Sequence, residues 1–212
     1  MQDAEYLELA DWRRRVAEIY AAWRRAAASD PQAATLRLRA ERDELFRGHP
    51  QSPISADQRA RFGGLSYFDY EPAYRMVARV EPAGEDEAAA APLQLPSSGS
   101  EPFAFRRIGR VSLSGPLAGA VLPLFWMEGY AGGLFLPFRD VTAGTETYGA
   151  GRYLLDTVKG ADLGGDWRAG ELVLDFNLAY HPSCAYDPKW NCPLAPPQSR
   201  LALPVRAGER LP

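Results

Sequence analysis

Histidine and cysteine are scarce in this sequence, at two each, and lysine is as scarce: only Lys159 and Lys189 stand beside 22 arginines. With so little histidine, a Ser–His–Asp triad would have to use His49 or His181, and each precedes a proline, the usual setting of a turn residue. No His-Glu-x-x-His pair and no Gly-x-Ser-x-Gly elbow occur, and the glycine clusters lack the spacing of dinucleotide or P-loop fingerprints. Cys184 and Cys192 are too few for a disulfide framework or a closed zinc site of their own, so no metal is assigned. Basic excess is absent as well: 24 Lys+Arg against 27 Asp+Glu leaves a net charge of −3, and nucleic acid is not an expected partner. The longest apolar run, 117–127, is broken by Gly119 and Pro123 and is too short to span a bilayer, so no membrane partner is expected. The first residues carry neither a basic nor an apolar stretch of the export type, which points to a cytoplasmic address and to reduced thiols.

What remains is 212 residues of ordinary globular composition, 46% hydrophobic, a length that suits a single domain over 1–212. Residues 1–48 read as a helical segment. Tyr6, Leu9, Trp12, Val16, Ile19, Tyr20 and Trp23 recur at steps of three and four, one face of a helix. Asp30-Pro31 starts a second helix, which is expected to end at Gly48. Ser55-Ala56-Asp57-Gln58 has the form of a capping box.

From about residue 64 to 212 the pattern is that of a β-rich body. Short runs at 74–80, 103–113, 119–127, 134–138, 152–156, 171–176 and 201–205 are separated by Gly-rich turns and not by helices. The Ala-, Pro- and Ser-rich stretch 82–101 reads as a flexible surface loop, with room for a short strand at Leu93–Leu95. The expected fold is therefore α+β: two N-terminal helices packed on a mostly antiparallel β-sandwich or small β-barrel.

Polar residues concentrate in two segments of the C-terminal half. Residues 139–156 combine Arg139, Asp140, several threonines and glycines, Arg152 and Asp156, and either rim a pocket or tie a long hairpin together. Residues 175–193 leave a strand and cross more than a dozen positions without periodicity, the form of a loop that is functional or pinned by specific contacts. Together they frame a polar pocket in which Arg139, Arg152, Asp175, Asn177, Tyr180, Cys184 and His49 are the candidate ligand-binding residues. Arg139 and Arg152 suit an anionic group. Three further expectations follow. Trp12 and Trp23 are buried against the sheet. Arg152 pairs with Asp140, Asp156 or Asp175. A turn at Asp187-Pro188 brings Cys184 and Cys192 together as a disulfide or a thiol pair.

The run Leu134-Phe135-Leu136-Pro137-Phe138-Arg139-Asp140, the Thr142-x-Gly144-x-x-Thr147-Tyr148-x-x-Gly151-Arg152-Tyr153 that follows, and Asp175-Phe176-Asn177-x-Ala179-Tyr180-x-Pro182-x-Cys184-Ala185-Tyr186 resemble a bacterial and archaeal family known as domain of unknown function 1684. Cys192-Pro193, the closing Ala207-Gly208-Glu209, Gly64-Leu65-Ser66-Tyr67-Phe68 and the helix around Trp12 fit the same pattern, so the resemblance covers nearly the whole chain. It implies no particular activity and no cofactor. His181 stands where the family pattern calls for Asn, which counts against an obligatory role, whereas His49-Pro50-x-Ser52-Pro53 fits the pattern. Two functions remain: a small-molecule-binding barrel, catalytic or not, and a non-catalytic structural or protein-interaction module. A deep pocket bordered by these polar groups separates the first from the second.

Overall fold

The computed structural model describes residues 3–89, 91–100, 102–130 and 132–212. Met1, Gln2, Ala90, Glu101 and Ala131 lie outside the described residues, and with them parts of the N-terminal segment and of the 82–101 loop. Helix α1 (Asp3–Ala26) carries the expected apolar stripe toward the sheet, and Tyr20 and Trp23 are buried. The stripe frays at its start, since the helix runs past the body there and leaves Tyr6 57% exposed. Helix α2 (Pro31–Gly48) begins with Asp30 accepting from the Ala33 amide at 2.9 Å. Gly48 proves to be its last helical residue and not a left-handed cap. Extended His49 ends the helix, as a residue before proline must. Ser55 and Gln58 form the capping box at the start of α3 (Ala56–Arg59).

Among the described residues, all pairings between strands are antiparallel. An eight-stranded sheet of the described residues is built from β1 (Arg75–Pro82), β2 (Leu93–Leu95), β3 (Phe103–Ser112), β4 (Val121–Met127), β5 (Gly133–Phe138), β6 (Arg152–Asp156), β7 (Gly165–Asp166) and β8 (Glu171–Asp175). Its order is β6-β5-β4-β3-β1-β8-β7, with β2 also on β3, and the sheet curls into a half-barrel. The fold class is thus α+β, as expected. Within 82–101, a short helix α4 (Glu85–Ala89) precedes β2. The run 201–205 does not form a strand. Pro204 interrupts it, and the Val205 carbonyl and amide are taken instead by the side chains of Arg152 in β6 and Asp140 in the loop after β5.

Two bulges sort the core. Cross-strand partners share a face, so Phe105, Met127, Phe125, Phe135 and Asp156 lie on one face of the sheet. Val111, Leu122, Leu124 and Leu136 lie on the other. Phe105 and Val111 have the same parity in β3, and they reach opposite faces only because the register shifts between Arg107 and Gly109. Gly109 is required there, since a Cβ would stand 2.5 Å from the Glu81 carbonyl oxygen. The main core joins Tyr20, Trp23 and Leu38 of the helices to one set, while Phe105, Phe125, Phe135, Leu95 and Tyr153 form a smaller second cluster.

Candidate functional site

Over that second cluster lies a cleft of about 290 Å³. One wall is α1, through Leu9, Trp12 and Arg13. The floor is Phe103, Phe105, Met127 and Phe135 from the sheet, and the far wall is Ser183, Trp190, Asn191 and Pro193. Asp156, the last residue of β6, closes one end together with Lys159. The pairing Phe135↔Asp156 puts this carboxyl on the aromatic face. Burial raises its pKa from the ordinary carboxylate value, opposed by the Lys159 ammonium at 3.9 Å and the Lys159 amide. Arg13 adds a second cation at the opening.

A smaller cavity of about 70 Å³ adjoins the cleft, sharing Trp12, Pro53, Lys159 and Ser183 with it. Its walls include Tyr20, Tyr180, Tyr186, Arg42 and His181. The Tyr186 hydroxyl is buried there without a hydrogen-bond partner. Arg42 lies over the Tyr180 ring at 5.2 Å and the Phe46 ring at 5.6 Å, donates to the Tyr67 hydroxyl at 3.1 Å and meets Glu209 at 3.3 Å. Burial raises the pKa of Glu209, with the Arg42 charge pulling the other way. Glu209 also accepts from the His181 amide at 3.1 Å. The Tyr148 amide donates to His181 Nε2 at 3.1 Å, so the neutral ring keeps its proton on Nδ1, 3.5 Å from Glu209. Burial, helped by the Arg152 and Arg42 charges, lowers the His181 pKa to about 3. A third opening, a broad groove of about 940 Å³, lies beyond His181 and Tyr186, between residues 54–66 and 209–212.

Of the seven candidate residues, only Tyr180 lines the paired cavities. Arg152 is wholly buried and donates to the carbonyls of Val205 (2.7 Å), Ala207 (2.5 Å) and Glu209 (3.1 Å). It pairs with Asp140 at 3.5 Å, as expected, and Asp140 in turn accepts from the Val205 amide and Thr142. Asp175 accepts from the backbone and side-chain amides of Asn177, and Asn177 exchanges two hydrogen bonds with the Glu71 backbone. His49 is buried between the helices. It accepts from the Gln51 amide, meets Asp11 at 3.3 Å and sits edge-on to Trp12. Arg139 is half-buried, and its backbone is bonded to Ser199 and Leu201.

Cys184 and Cys192 are unbonded, buried thiols close enough to influence each other's ionisation, so the expected proximity is met without a disulfide. Trp23 is buried as expected, but Trp12 is only half-buried because it walls an open cleft. Sequence reasoning missed Trp12, Phe103, Phe135 and Lys159 as site residues. The one available signal was a lone lysine placed three residues after a strand-ending acid.

Among the described residues no group of three or more His, Cys, Asp or Glu is arranged to hold a metal ion, and no helix is long and apolar enough to cross a membrane. The model of a family described as "Protein of unknown function (DUF1684)" matches residues 60–210. The solution NMR structure of an uncharacterized protein from Haloarcula marismortui superposes with a TM-score of 0.58 at 34% identity, over 88% of this chain and 97% of that one. No curated protein matches the sequence.

Proposed function

The chain belongs to the DUF1684 family, and from the geometry of the cleft we propose that it binds a small, flat, largely apolar ligand with one anionic end. The observation that carries this reading is the convergence of aromatic walls from helix, sheet and loop on a single polar end. A preformed apolar cleft with a few convergent polar groups, one of them titrating abnormally, is the usual form of a small-molecule site. Rings of the ligand would lie between Trp12, Trp190 and the phenylalanine floor. At the polar end two cations, Arg13 and Lys159, outweigh one carboxyl whose ionisation burial opposes, so an anion is favoured.

The test uses anilinonaphthalene sulfonate, a flat anionic fluorophore. Its emission is expected to rise saturably at one site on the native protein. Lys159→Glu is expected to weaken binding about tenfold, an effect of roughly 1.4 kcal/mol, and Trp12→Ala to weaken it at least as much. Non-saturable binding, or equal affinity in both variants, would overturn the proposal.

A second reading, a structural or interaction module without a small ligand, has its own support. The hydrogen bonds that Arg152, Asp175 and Asn177 make all go to the chain itself. Native mass spectrometry of freshly purified protein separates the two readings: a stoichiometric adduct favours the first and a bare chain the second.

A further inference from the structure

The two thiols are built into a small, specific setting. Beyond Pro182 the chain makes a single helical turn at Ser183–Ala185, in which the Ser183 carbonyl accepts from the amides of Tyr186 and Asp187. It turns again where the Trp190 amide donates to the Asp187 carbonyl at 3.2 Å. These two turns reverse the loop and bring Cys192 back beside Cys184. Cys192 is then clamped by Ser98 from the segment before β3: the Ser98 amide donates to the Cys192 carbonyl and the Cys192 amide to the Ser98 hydroxyl, each at 2.9 Å.

The pair is asymmetric. Cys184 is 8% exposed and Cys192 is 1% exposed, so a small reagent meets Cys184 first. The Tyr148 hydroxyl lies 3.8 Å from the Cys184 sulfur, the Cys192 thiol is its neighbour, and the Ser98 hydroxyl donates to the Trp190 carbonyl at 2.9 Å. We propose that Cys184 and Cys192 form a redox-active dithiol, in which Cys184 attacks a low-molecular-weight disulfide and Cys192 resolves the adduct into an intramolecular disulfide. The assignment does not depend on what occupies the cleft.

The acid–base setting agrees with these roles. The neighbouring Cys192 thiol and the Tyr148 hydroxyl favour an anion on Cys184 and, against burial, lower its pKa. Cys184 in turn raises that of Cys192, so the resolving sulfur stays protonated until the adduct has formed.

The steps balance as ordinary thiol–disulfide exchange. The Cys184 thiolate bonds to one sulfur of the reagent, the reagent's S–S bond breaks, and the departing thiolate takes up the proton that Cys184 released. Cys192 then attacks the Cys184 sulfur, a second reagent thiolate leaves, and it takes the Cys192 proton. The protein dithiol loses two electrons and two protons, and one disulfide molecule becomes two thiols.

Intact-mass analysis after exposure to glutathione disulfide and acid quenching tests this. Native wild-type protein is expected to lose the mass of two hydrogens and to retain no glutathionyl group. Cys192→Ser should hold one glutathionyl group, mapped to Cys184, while Cys184→Ser should take up none. Wild-type protein that stays fully reduced when native yet oxidises when denatured would overturn the assignment. So would labelling of Cys184→Ser as fast as Cys192→Ser. If the serine variants do not fold, the wild-type comparison decides the matter alone, and Cys192→Ala repeats the trapping test.

Discussion

At the scale of single residues, the buried charges show what polar side chains do here. Arg152 holds three carbonyls of the segment 205–209 and one carboxyl, with no exposure to water. Arg152→Ala is expected to cost about 3–5 kcal/mol in urea unfolding, because it strands Asp140 and the carbonyls together. His181 acts in the opposite sense, as a histidine kept neutral. Its folded pKa of about 3 lies below the ordinary 6.5, so unfolded protein binds a proton that folded protein refuses. Its contribution is therefore complete above pH 6.5 and is lost as the pH falls from there toward about 3, at a slope of at most about 1.4 kcal/mol per unit. Raised carboxyls such as Glu209 and Asp156 work the other way, favouring the fold as they protonate. Comparing His181→Asn with wild type by denaturant titration at pH 7 and pH 5 isolates the histidine. The variant should lose less stability between the two, and equal losses would sink the account.

At the scale of elements, the decisive features are irregular. The β3 bulge turns one strand from the aromatic face to the aliphatic face and so creates two clusters from one sheet. Gly109→Ala should disturb it, since the new methyl meets the Glu81 carbonyl oxygen at 2.5 Å. The expected cost is about 1–3 kcal/mol, with faster amide exchange localised to Val80, Glu81 and their partners in β3. Uniform exchange changes across the sheet would argue against a local clash. Helix signals were legible because they are local: Asp30-Pro31 and the Ser55–Gln58 box act within one turn of chain. The expected strand at 201–205 failed for the converse reason. Its apolar residues match a strand pattern, but what holds the segment comes from Arg152 and Asp140, more than fifty residues away.

At the scale of the whole molecule, α1 has two tasks along one stripe. Its C-terminal half roofs the main core through Tyr20 and Trp23, and its N-terminal half walls the cleft through Leu9 and Trp12. The two tryptophans should therefore respond differently. Trp23→Ala is expected to cost about 3–5 kcal/mol, and it also leaves the Thr35 hydroxyl without its 3.1 Å donor. Trp12→Ala should cost less than half as much, while losing the fluorophore binding described above. Parallel unfolding and binding curves check this, and equal destabilisation by the two substitutions would contradict the division.

By itself the sequence determined the class of fold, two amphipathic helices ahead of an antiparallel sheet, and most strand positions, because periodicity and turn chemistry act between neighbours in the chain. It also determined that the cysteines of the 175–193 loop meet, since a turn and two prolines govern so short a span, and it left open whether that loop is functional or pinned. Only the tertiary structure decided which polar residues face a cavity. Asp156 and Arg152 end and begin the same strand. Sheet register and one bulge send the first to the cleft and the second into the core. Periodicity cannot report that choice, because it depends on which strand lies alongside and on where a single extra residue enters the ladder.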